Sequence, residues 1–328
     1  MAESQIQPTQ STTRVTAAAL TPPNPVARAL EFVRGTTGWV WKFARMKPLG
    51  AFGGLLILII GVLAAFPGLF TNFDPLRVAG EPYQAVNGTH WLGTDSIGRD
   101  IWTRTIYGAR ITMQISVISV VISVTAATII AMVSAYYGGV LDMLVQRAVD
   151  TILAVPGLIL ALFILTVMGS SMRTIIFTIV IVFLPRSIRT IRSSVLSVKE
   201  MPYVESARAI GASTPRILLK YIFPQITALY LILLSLIIGN AIIIESSLAF
   251  LGLGLAVETP SWGALVDRGI EDIFFAPWTQ PVAPGVAIAM AVFGFNLFGD
   301  ALRDIMDPRL RGSGVGLKRG GGGATSAG

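Results

Sequence analysis

Residues 49–70 read LGAFGGLLILIIGVLAAFPGLF, an apolar run with no charged side chain. A helix needs about 20 mostly apolar residues to cross the hydrocarbon core of a bilayer, and this stretch supplies them. Five more segments meet the same criterion. They are 111–136, about 144–168 (kinked by Pro156 and Gly157), 174–192, 226–251 and 282–302. Arg147 and Asp150 fall in the first turns of the third segment, spaced to pair on one face, with Arg147 also able to snorkel to the interface. The fold expected is all-α and integral to the membrane, with six transmembrane helices.

Composition agrees. Hydrophobic residues make up 53% of the 328, charged ones only 13%, and the mean hydropathy is +0.70. A soluble domain carries roughly 25% charged residues, so lipid must cover part of this surface. Cysteine is absent, which excludes a disulfide framework and a thiolate metal site. His90 is the single histidine and argues against a metal centre; a structural hydrogen bond is the expectation for it.

The net charge of +7 has an explanation in topology. With a cytoplasmic N-terminus, the outside segments hold Arg77, Arg99, Arg104, Arg110, Arg173 and Arg268, and the other 19 of the 25 basic residues fall inside. That bias sets both termini in the cytoplasm and accounts for the charge without nucleic acid.

Around the spans, residues 1–30 are polar and Pro/Thr-rich and are expected to be disordered, with no signal peptide. Residues 31–47 suit a basic, Trp-bearing interfacial helix before the first span, which closes at 70. Residues 71–110 form an extracytoplasmic loop, and 111–311 carry the other five spans. Residues 312–328 are a Gly-rich tail read as disordered. In the 71–110 loop, Asp95, Arg99 and Asp100 are spaced to cap a short helix and form a local ion pair. In the second external loop, 252–281, Glu258, Asp267, Glu271 and Asp272 read as a solvated face or a docking face. Trp262, Phe275 and Trp278 read as interface anchors. Gly50, Gly53 and Gly54 offer a small-residue face for close helix approach.

One internal loop, 193–225, is long, and its second half reads YVESARAIGASTPRILLKYIFPQ. Glu205 suits a helix N-terminus and precedes Arg208 by three residues. Gly211 suits the left-handed turn that ends a helix. Ser213 or Thr214 can cap a second helix, Pro215 fits its first turn, and Pro224 marks the start of the fifth span. Two short helices joined by a glycine corner are expected at the cytoplasmic surface.

This loop resembles the Glu-Ala-Ala, then Gly, motif of binding-protein-dependent ABC permeases, seen here as Glu205-Ser206-Ala207, Gly211 and Pro224. Further stretches resemble the C-type subunit of dipeptide/oligopeptide/nickel permeases: HWLGTDSIGRDIWTRTIYGAR (90–110), AYYGG (135–139), VDTILAVPGLILAL (149–162), ESSLAFLGLGL (245–255), PSWGAL (260–265) and FNLFGDALRDIMDPRLR (295–311). The resemblance covers about two-thirds of the chain. It implies a type I ABC importer permease fold in a bacterial or archaeal plasma (inner) membrane. It also implies a heterodimeric pore with a B-type permease, two ATPase subunits that bind ATP and Mg, and an extracytoplasmic solute-binding protein. Glu205, Ser206, Ala207, Gly211 and Pro224 would then couple to the ATPase. No Gly-Lys pair occurs in the chain, so no P-loop is present and ATP hydrolysis belongs to a partner. Peptide is the expected cargo, with nickel, glutathione or oligosaccharide as alternatives. An ion-coupled secondary transporter would need more intramembrane ionisable residues than Glu245, and a membrane scaffold would not need the coupling motif.

Glu245 is the sole acid within the fifth span. Two readings stand: with Asn240 it lines the translocation path, or it bonds a neighbouring helix such as the one bearing Asn296.

Overall fold

A computed structural model describes residues 43–255 and 259–306; the expectations for 1–30, for most of 31–47, for Glu258 and for 312–328 lie outside them. The first unit, Met1–Met46, contributes only the helical residues 43–46 to what is described. The second unit starts at Lys47.

Its helices are α1 (Pro48–Ala65), α2 (Ile101–Tyr137), α3 (Gly139–Leu153), α4 (Gly157–Met168), α5 (Met172–Lys199), α6 (Pro202–Ala209), α7 (Thr214–Leu253), α8 (Trp262–Glu271) and α9 (Thr279–Met306). Among the described residues, one isolated β-bridge (Thr94–Asp100) is the only extended pairing. Helices α1, α2, α5, α7 and α9 are each long and apolar enough to cross a membrane. Helices α3 and α4 pass the same test only as a pair, bent by 86° at the break between them. The expected kink is therefore a corner. Pro156 lacks an amide and caps α4 in an extended conformation, while a Cβ on Gly157 would lie 3.0 Å from Val182 of α5.

Helix α2 starts at Ile101, not at 111. Asp100 caps it, accepting from the Thr103 amide at 2.8 Å and its hydroxyl at 2.7 Å. Arg104, which reads as a loop charge in sequence, is 2% exposed and donates to Asp95 at 2.5 Å. At 1.5 Å per residue the 37-residue helix is roughly 55 Å long, well beyond a 30 Å apolar layer.

Helices α2 and α5 run parallel and form the centre of the bundle. Thr112, Ser116, Ser119, Ala127 and Ala131 of α2 are fully buried, and such small side chains let backbones approach closely. The Ser123 hydroxyl donates to the Val180 carbonyl at 3.2 Å, and Lys199 Nζ donates to the Ala135 carbonyl at 2.9 Å. Helices α1 and α9 touch through glycines: a Cβ on Gly53 would lie 2.7 Å from the Gly294 carbonyl oxygen. Of the expected small-residue face, Gly53 makes the contact; Gly54 faces the Phe298 ring instead.

The ion pair of Lys47 with Asp304, at 2.7 Å, sets the start of α1 and the end of α9 at one end of the bundle. The opposite end is a lobe made by residues 66–100 and α8. There Asp95 binds the Arg99 guanidinium at 2.8 Å, and His90 Nδ1 bonds Asp100 at 2.9 Å while stacking on Phe73. The expected cap and ion pair are present, but the capped helix is the long α2. Tyr83 donates to Asp272 at 3.1 Å and Thr279 to the Leu92 carbonyl, joining the two halves of the lobe. Trp262 is no interface anchor. It is 1% exposed, and its indole N–H donates to the Thr105 carbonyl at 2.9 Å. Phe275 and Trp278 are exposed.

Candidate functional site

The loop between α5 and α7 lies at the Lys47–Asp304 end. Pro202 opens α6, where its missing amide costs nothing, and Glu205 follows in the first turn. Val204 and Ala207 are buried and fasten the helix to the bundle. Glu205, Ser206, Arg208, Ala209 and Ile210 face outward, with Ile210 81% exposed. An isolated eight-residue helix is not stable in water, so these two buried residues and its ends hold it.

The glycine corner is a Schellman closure. Gly211, at φ +80°, donates to the Arg208 carbonyl at 3.0 Å, and the next amide, Ala212, reaches back to Ala207 at 3.0 Å. The spacing from Ala207 to Gly211 thus has a geometric cause: the glycine sits where the closure requires left-handed backbone. Ser206 bonds back to the Pro202 carbonyl at 2.9 Å, so its hydroxyl is satisfied inside the helix.

Three expectations about this loop need correction. No separate second helix exists, because residues 214–253 form one 40-residue helix. Ser213 precedes it without a side-chain cap bond. Pro224 stands as expected in the first turn of the α-helical stretch Phe223–Leu248, where regular α-helix resumes within that run. A π turn over Leu218–Ile222 relaxes the register just before it, where an α ladder would lack an amide. Finally, Arg208 sits over the Tyr136 ring of α2, 5.5 Å from its centre, and makes no ion pair with Glu205.

Helix α5 is tied to the bent α3–α4 pair by charge. Arg192 Nε donates to Asp142 at 2.8 and 3.1 Å, and Arg189 pairs with Asp150. Asp150 thus goes to Arg189 and not to Arg147, since the 86° corner turns α3 toward α5.

Glu245, Asn240 and Asn296 are not gathered at one point. Glu245 is 2% exposed and sits among the hydroxyls of Thr112, Ser246 and Ser261, where α8 begins. The neighbour it bonds is therefore not the Asn296 helix. Asn296 lies against Gly239, its carbonyl oxygen 3.3 Å from where a Cβ would stand. Asn240 is exposed, donates to the Leu236 carbonyl at 3.0 Å, and lines a cavity of about 430 Å³ between α4, α5 and α7. Arg186 lines it too. Sequence reading counts Arg186 as a cytoplasmic charge; its signal was the arginine spacing of three in PRSIRTIR, which puts all three on one side of α5.

Residues 123–312, which include α6 and the glycine corner, match the family described as the binding-protein-dependent transport system inner membrane component. The chain belongs to this family. The permease is 33% identical to the glutathione transport system permease protein GsiD of Pectobacterium atrosepticum over 275 residues, 83% of this chain and 90% of that one. It is 35% identical to the GsiD proteins of Shigella dysenteriae serotype 1 and Escherichia coli O157:H7, with the same shares covered. It is a multi-pass membrane protein, the transmembrane permease subunit of a binding-protein-dependent ABC importer, with the type I importer fold.

Proposed function

We propose that this permease imports small peptides, driven by ATP hydrolysis on partner subunits that dock on α6. The observation that carries the reading is α6 itself, a short helix closed by Gly211 and fastened by Val204 and Ala207, with Glu205, Ser206 and Ile210 left outward. The lack of any Gly-Lys pair supports ATP and Mg being bound by two separate ATPase subunits. A B-type permease completes the pore, and an extracytoplasmic binding protein delivers cargo. The clustering of basic residues, with Lys47 and Asp304 at the α6 end, supports a plasma (inner) membrane protein of a bacterium or archaeon with both termini cytoplasmic. The relatives' glutathione cargo, itself a peptide, supports peptide over nickel or oligosaccharide.

The test is uptake by the assembled importer carrying Gly211→Pro or Glu205→Lys. Transport should be lost while the permease remains in the membrane. Unchanged uptake at normal ATPase occupancy would overturn the assignment of α6.

A further inference from the structure

The cavity between α4, α5 and α7 has a wall that is apolar with two exceptions. Pro156, Gly157, Val182, Phe183 and their neighbours line most of it; Arg186 and Asn240 supply the polar groups, and no acidic residue lines it. Its volume of about 430 Å³ falls in the range of sites for small organic molecules.

Arg186 differs from the arginines that follow it. Arg189 and Arg192 are paired with Asp150 and Asp142. Among the described residues, the Arg186 guanidinium has no such partner. It is exposed at the midpoint of α5, one turn before Arg189, in a helix long and apolar enough to cross a membrane. An unpaired guanidinium in such a helix is costly unless it faces water or a ligand.

We propose that Arg186 and Asn240 form a carboxylate-binding station in the translocation path, which makes the permease selective for carboxylate-bearing, peptide-type cargo. The inference rests on the peptide-importer reading above. A guanidinium presents paired donors that match the two oxygens of a carboxylate. Asn240 uses one amide hydrogen on Leu236 and keeps a second to donate. The same cation repels a divalent metal ion, so the station disfavours nickel.

The test uses the complete importer in proteoliposomes, with its own binding protein and ATPases, and glutathione and trialanine as probes. Arg186→Gln should lower uptake about tenfold, as expected for losing one charge-assisted hydrogen bond. Arg186→Lys should keep at least half. Wild-type uptake by Arg186→Gln would overturn the station, as would equal losses in the Gln and Lys variants. Loss of complex assembly in Arg186→Gln would also overturn it, assigning the residue to a pair with the partner permease. If the wild-type importer takes up neither probe, the peptide reading falls and the station falls with it.

Discussion

The Arg208 guanidinium lies 5.5 Å from the centre of the Tyr136 ring, so the last turn of α6 rests on the final residues of α2. A cation over an aromatic face contributes about 0.5–1 kcal/mol at an exposed site. This contact links α6 to the bundle's central helix pair without using Glu205, which stays available on the outer face. Tyr136→Ala is expected to lower ATP-driven uptake severalfold at unchanged membrane abundance, while Tyr136→Phe, which keeps the ring, stays near wild type. Uptake assays normalised to permease level check this.

Gly211 adopts φ +80°, and a Cβ there would meet no neighbour. Substitution therefore acts through backbone conformation alone. Gly211→Ala should cost about 1 kcal/mol and loosen α6. Gly211→Asn should cost less, since Asn tolerates left-handed backbone. Faster amide exchange confined to residues 204–212 is the expected signature.

At Gly263 the opposite holds. A Cβ would lie 2.3 Å from the Ser246 carbonyl oxygen and 2.7 Å from its Cα, so α8 sits directly on the backbone of α7. Gly263→Ala should unseat α8 and lower the thermal stability of the purified permease. Gly285→Ala, where a Cβ meets nothing within 4 Å, should leave it unchanged.

Asp95 gives the outer lobe an acid limit. Burial pushes its carboxyl up, but the Arg99 amide and the Arg104 and Arg99 guanidiniums outweigh this and hold it below the usual carboxylate range. The ionised form thus belongs to the folded lobe. Its stabilisation is complete above about pH 4, the unfolded carboxylate value, and is lost as pH falls through the lower folded one. Amide exchange in residues 79–100 should accelerate only below that limit. Asp95→Asn should abolish the acid step and cost about 3 kcal/mol at neutral pH, because Arg104 is left buried without its partner.

The spans were legible because length and apolarity suffice to recognise them, and Gly211 was legible because a left-handed corner favours one residue type. The rest depended on partners distant in sequence. The start of α2 was hidden because Arg104 looks like a loop charge until Asp95 neutralises it. Trp262 reads as an interface residue until Thr105 accepts its N–H. Asp150 has a plausible local partner in Arg147, and only the corner at Pro156 redirects it to Arg189. Arg186, grouped by sequence with the arginines that follow it, is set apart by lacking what those two possess.

The helical run from Thr214 up to the left-handed Gly252 has a mechanical consequence. Its 38 residues to Leu251, at 1.5 Å each, make a rod of roughly 57 Å, nearly twice the thickness of the apolar layer. Near its middle, Ser235 and Leu236 press on Gly299 of α9, where a Cβ would lie 2.8 Å from the Leu236 side chain. A rod pivoting there by 10° swings each tip by roughly 5 Å in opposite senses. A push on the residues following Gly211 would thus arrive at Ser246 and Gly263, reversed in direction, with no flexible joint in between to absorb it.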